Sequence, residues 1–214
     1  MEITKDLYEK HYEIELCLDM MFINELGFLT SIRYLLYYRK CNFVEDNRYE
    51  TYYKAIAKAI RVYNAAGFRI KTIKCDGAYR SLFDDIMDDM DIKMNYTNPQ
   101  DHQSKAERNI RVIKENFRVT LHRTSYITIP KTMIKALAEL SAERLNYFPA
   151  KHGISSYYSP KNIVTKKVLE YNKHCKYEFG EYVQAHHQNS KVNDMKERTI
   201  DAIYLKPNHN KQGG

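Results

Sequence analysis

The sequence predicts an α/β fold: a mixed five-stranded sheet flanked by helices, with a partial β appendage at the C-terminal end. Three observations carry this. Residues 13–44 form a succession of short apolar runs, broken at Asn24, Gly27 and Arg39-Lys40, which read as antiparallel strands over roughly 13–23, 26–34 and 35–44. Residues 47–66 instead place Tyr52, Ala55, Ile56, Ala59, Ile60 and Tyr63 at helical spacing, and Gly67 follows as a stop signal. Strand-like and helix-like stretches then alternate, as a sheet that mixes antiparallel and parallel pairs requires.

The remaining elements follow in order. A strand over 68–75 leads to a short helix around 79–88 and a short strand around 91–96, and the TNPQ segment at 97–100 reads as a loop. Two long helices are expected at about 101–124 and 131–148, with Pro130 opening the second. Beyond Pro149 the character changes. Residues 151–178 are rich in Lys, Tyr and Ser-Pro, and read as an irregular segment wrapping back onto the core. From Gly180, GEYVQAHHQ and RTIDAIYLKP read as two short strands. Two strands alone are rarely stable, so they are expected to open a small β domain that is truncated here. The division expected is a tail at 1–11, a core at 12–150, a basic extension at 151–179 and the β segment at 180–214.

Composition narrows the function classes. With 214 residues, 43% hydrophobic and 29% charged, the chain is long and apolar enough to bury a real core. No apolar stretch approaches a membrane span, and Lys5, Asp6, Glu9 and Lys10 leave no room for a signal peptide. The net charge of +7 favours a polyanionic partner. Cys17, Cys41, Cys75 and Cys175 form no CxxC pair, and Cys17 and Cys75 sit in core-like strands, so they read as reduced and buried. The histidines have no matching cysteine pair, which leaves no visible zinc site.

Three acids draw attention. Asp19 lies inside the apolar run 14–23, where an uncompensated charge is costly. Strand periodicity puts it on one face with Glu15 and Cys17, and a half-exposed strand with a polar face accounts for it equally well. Asp76 ends a strand and precedes Gly77, an ordinary turn signal, although ligands in α/β sheets gather at the carboxyl ends of strands. Glu107 shares a helix face with Arg111, Lys114 and Arg118, beside an apolar stripe of Ala106, Ile110, Ile113, Phe117 and Leu121. An i,i+4 pair of Glu107 with Arg111 would explain two of those charges but not a one-sided run of three bases. The acidic group Asp84, Asp85, Asp88, Asp89 and Asp91 lacks the spacing and glycine of an EF-hand, and reads as a solvated helix face. Most of the 19 tyrosines fall at core positions.

Taken together, LDMMFINELGFLTSI, IKTIKCDGAYRSLF and QSKAERNIRVIKENFR resemble the integrase catalytic core of LTR retrotransposons, closest to Copia-type elements. SPKNIVTKK and EFGEYVQAH extend the resemblance over roughly residues 12–210. It departs from the family in three places. Asp76 and Glu107 are separated by 30 residues, a few fewer than usual; Asp-Gly-Ala stands for the common Asp-Asn-Gly; and Gln103 and Ser104 replace the usual Gln and Gly. The family's His₂Cys₂ zinc module has no counterpart in this sequence.

The resemblance implies an RNase H-like fold and a DDE triad of Asp19, Asp76 and Glu107. Those acids would hold two Mg²⁺ or Mn²⁺ ions, with Asp19 bridging both. Arg111, Lys114 and Arg118 would bind the DNA backbone without reading sequence. The implied activity is strand transfer of retroelement DNA into target DNA, in the nucleus, by a dimer or higher multimer, with no membrane involved. The alternatives are a catalytically silent nucleic-acid-binding remnant of such an integrase, or another RNase H-like nuclease or transposase.

Overall fold

Three strands fold as an antiparallel meander: β1 (Glu13–Ile23), β2 (Leu26–Ile32) and β3 (Arg39–Val44). This computed structural model describes residues 9, 11–97, 104–186 and 197–207. Asn24 and Glu25 link β1 to β2 with both residues at positive φ, a turn whose twist matches that of the flanking strands. Gly27 does not break the run; it pairs within β2 against Phe22 and Val44. Arg39-Lys40 does not break it either: both residues pair with β2, and the break falls just ahead of them. Residues 33–38, expected to end the second strand and begin the third, are a turn in which Leu35 and Tyr37 take positive φ and Tyr37 N–H donates to Arg33 O at 2.7 Å. Their apolar side chains mark tertiary burial rather than pairing: Leu36 and Tyr38 are buried in the core.

Helix α1 (Tyr49–Ala65) buries the six predicted positions. It ends where Gly67, at φ 89°, lets Phe68 N–H reach Tyr63 O (3.1 Å) and Gly67 N–H reach Asn64 O (3.0 Å). The chain then enters β4 (Arg69–Asp76), parallel to β1, passes through a 3-10 turn (Gly77–Tyr79) and α2 (Arg80–Met90), and reaches β5 (Lys93–Thr97), parallel to β4. The sheet order is β3-β2-β1-β4-β5. At the end of α2 Asp91 holds φ 52°, the position a glycine fills at Gly67. Asp91→Gly is therefore expected to stabilise the fold by about 1 kcal/mol, read as an increase in urea midpoint at unchanged slope.

Helices α3 (Ser104–Arg123) and α4 (Lys131–Arg144) follow, the second ending several residues before the expected 148. The expected start of α3 at 101–103, with Gln103, and most of the TNPQ loop lie outside the described residues. Two short helices, α5 (Pro160–Thr165) and α6 (Tyr171–His174), interrupt the segment expected to be irregular. β6 (Tyr182–His186) and β7 (Thr199–Ile203) pair antiparallel as a separate two-stranded sheet. Phe179 and Leu205 at its base pack into the core against α3 and α4. Gly180, at φ 82°, fits because a Cβ there would come within 2.9 Å of the Tyr126 ring, whose hydroxyl donates to Gly180 O.

The sheet separates two cores. One side packs Ile14, Leu16, Leu18 and Leu29 against α1 and α2. The other packs Met21, Phe28 and Cys41 against Ile113 and Phe117 of α3 and the length of α4, and a smaller cluster joins Cys17 and Ile32 to Ala106. Cys17, Cys41 and Cys75 are buried free thiols, as expected for the first and last of these; Cys175 is free and exposed.

Candidate active site

Asp19 sits on the α3 side of β1, between Cys17 and Met21, whose side chains enter the clusters under α3. Its backbone carbonyl accepts a hydrogen bond from Thr30 Oγ1 at 2.9 Å, a hydroxyl buried opposite it on β2, and its Oδ1 accepts from Met20 N–H at 2.7 Å. Thr30 is the supporting residue that sequence reading overlooks. Its signal is faint, a hydroxyl at an inward position of an apolar strand.

Asp76 reaches the same side through an irregularity. Simple alternation in β4 would group Asp76 with Ile70, but Ile70, Ile73 and Cys75 all enter the core beneath α1. The register shifts between Ile14 and Glu15, which pair with Ile70 and Thr72, so Lys71 is an extra residue in β4. From there the alternation is inverted, which turns Lys74 and Asp76 toward α3. Cys17 pairs with Lys74, so Asp19 and Asp76 each lie two residues further along parallel neighbours. Asp76 Oδ1 accepts from Ala78 N–H at 3.1 Å and thereby caps the 3-10 turn.

Glu107 occupies the exposed side of the first turn of α3, next to Ala106, which is buried against Cys17. The three acids meet electrostatically at Asp19. Burial raises its carboxyl above the usual range, the charges of Asp76 and Glu107 raise it further, and the Met20 N–H lowers it in part. The Cys75 thiol is pushed up to about 12 by burial and by Asp76, Asp84 and Asp19, a second sign of concentrated negative charge at these strand ends. Among the described residues no three His, Cys, Asp or Glu side chains are drawn together tightly enough to form a metal-binding set.

Arg111 and Arg118 are exposed and Lys114 half-buried along α3 beyond Glu107, and none forms an ion pair with a described residue. The alternative of an i,i+4 pair of Glu107 with Arg111 is not present as an ion pair. The acidic group on α2 is largely exposed, as expected, and makes cross-links there: Asp84 with Arg80 and the Tyr96 hydroxyl, and Asp89 with the Tyr49 hydroxyl.

No protein-family model matches the chain, and no curated protein matches it. Among solved structures the chain is similar to the catalytic core domain of BIV integrase, with a TM-score of 0.50 and 16% sequence identity over 77% of this chain and 98% of that one. The likeness is one of fold: the five-stranded mixed sheet and its flanking helices are those of the RNase H-like integrase core.

Proposed function

We propose that the chain is a metal-dependent polynucleotidyl transferase of the Copia-type integrase kind, which joins retroelement DNA to target DNA through Asp19, Asp76 and Glu107. The observation that carries this reading is the convergence on Asp19 of the charges of Asp76 and Glu107, three acids from three separate elements on one side of the sheet. Their donors are hard carboxylate oxygens, the type that Mg²⁺ and Mn²⁺ take, and the mutual repulsion is what a divalent cation would relieve. Asp19, Asp76 and Glu107 would hold two such ions, which would supply activation of a water or DNA 3′-hydroxyl and stabilisation of the leaving 3′ oxygen. The protein's part is placement. Thr30 fixes the backbone at Asp19, the 3-10 turn fixes Asp76, and packing of Ala106 on Cys17 fixes the first turn of α3 and with it Glu107. Arg111, Lys114 and Arg118 give the DNA backbone a cationic track leading to the acids, with salt-sensitive and sequence-tolerant binding.

A disintegration assay, which reverses strand transfer on a branched DNA, tests this with the chain as it stands. Mn²⁺- or Mg²⁺-dependent joining by the wild type is expected, with a loss on the order of a hundredfold or more in Asp76→Asn and in Glu107→Gln. No joining by the wild type, alongside intact salt-sensitive DNA binding, would replace this reading with that of a silent binding remnant. Cleavage without joining would favour another RNase H-like nuclease.

A further inference from the structure

At the outer edge of β3, away from the strand β4 that carries Asp76, two cavities share a wall of Tyr38, Lys40, Glu143 and Lys161. The smaller, about 130 Å³, is lined by Lys40 of β3, Lys58 of α1, Lys161 of α5 and Lys206, with Glu139 and Glu143 as its acids. The larger, about 530 Å³, is walled on one side by Val62, Ala65, Val164, Val168 and Leu169. That volume falls in the range of small-molecule sites.

The charges in the small cavity do not balance. Glu143 is engaged by Lys161 at 2.6 Å and Glu139 by Lys206. Lys40 and Lys58 have no carboxylate within ion-pair distance among the described residues, which leaves two surplus amines. Lys40 is half-buried, with its ammonium 5.9 Å from the centre of the Tyr38 ring. It faces the like charges of Lys58 and Lys161 as well as the opposite charges of Glu143 and Glu139. A half-buried ammonium that shares a cavity with an unpaired Lys58 and with the Lys161 of an ion pair is favoured by an oxyanion in that cavity. Lys40 also lines the larger cavity with the apolar wall, where Val168 is 62% exposed and still has area to bury.

We propose that this double cavity is a binding site for a small amphipathic oxyanion, a phosphate monoester or similar group seated between Lys40, Lys58 and Lys161 with its apolar body in the larger chamber. The site is independent of the acids on the α3 side and does not rest on the reading of them.

Titration calorimetry of the full chain with phenyl phosphate and with inorganic phosphate tests the assignment. One saturable site per chain is expected, with phenyl phosphate binding about tenfold tighter than inorganic phosphate because the ring is taken out of water. Lys40→Met and the surface change Lys58→Glu are each expected to weaken phenyl phosphate about tenfold with the melting temperature unmoved. Equal affinity for the two anions would overturn the amphipathic assignment. The absence of saturable binding to the wild type, or binding unchanged in both variants, would overturn the site itself. Displacement of phenyl phosphate by short duplex DNA, with the same dependence on Lys40, would overturn the small-molecule reading in favour of a DNA backbone phosphate.

Discussion

Asp19→Asn is expected to raise the melting temperature at neutral pH while lowering metal-dependent strand joining on the order of a thousandfold. The two effects have one cause. Burial, and then repulsion from Asp76 and Glu107, lifts the Asp19 carboxyl above its ordinary value of 3.8, so the native chain holds that proton to higher pH than the unfolded chain does. Where the native state binds more protons, stability falls as pH rises. The contribution of Asp19 is thus most favourable below the unfolded value and is lost as pH climbs through the raised native one. By neutral pH the ionised carboxylate is a net cost, and asparagine removes it with little change in shape. The expected gain is about 1 kcal/mol, or about 2–4 °C for a chain of this size, because the site is only partly buried and solvent screens it. Added Mg²⁺ or Mn²⁺ should then raise the melting temperature of the wild type and leave that of Asp19→Asn unmoved. A lower melting temperature for Asp19→Asn without metal would mean that the hydrogen bond from Met20 outweighs the repulsion, and would remove the electrostatic argument for the site.

The same residues show what the sequence could disclose. The side that Asp19 faces is legible because β1 alternates without interruption around it, so period two alone assigns Cys17, Asp19 and Met21 to one side. Glu107 was equally accessible, since the apolar stripe of α3 fixes the helix rotation. Asp76 was nameable only as a strand end. The side it faces depends on the extra residue at Lys71, and a register shift is a property of two paired strands that neither strand carries alone. The turn at 33–38 misled for a different reason. Leu35, Leu36, Tyr37 and Tyr38 are as apolar and aromatic as any strand, and nothing in their types signals that Leu35 and Tyr37 adopt positive φ. The four lysines around the small cavity come from four separate segments, and the surplus of Lys40 and Lys58 among them cannot be seen until the chain is folded.

Asn146→Ala is expected to be among the most damaging single changes in the chain, although nothing in the sequence marks that residue. β3 is an edge strand, and its outward backbone groups need partners. Asn146, just past the end of α4 and 2% exposed, supplies them: its Oδ1 accepts from Arg39 N–H at 2.7 Å and its Nδ2 donates to Arg39 O at 2.9 Å, a side-chain amide standing in for the next strand. Arg39 in turn donates from Nε to Asn109 of α3 at 3.0 Å, so the clamp ties the β3 edge to the helix that carries Glu107. Alanine leaves a buried donor and a buried acceptor unmatched and loosens that tie. The expected cost is about 2–3 kcal/mol by chemical denaturation, with a reopened strand edge that promotes self-association. Asn146→Asp separates the two roles, since it keeps the acceptor for Arg39 N–H and loses the donor to Arg39 O. It is therefore expected to fall between wild type and Asn146→Ala at low pH, where the carboxyl can donate, and to drop below that position once the carboxylate ionises against the carbonyl. If Asn146→Ala unfolds at the wild-type midpoint, solvent satisfies the β3 edge as well as the amide does, and the rigidity of α3 at Glu107 must come from the packing of Ala106 and Ile113 alone.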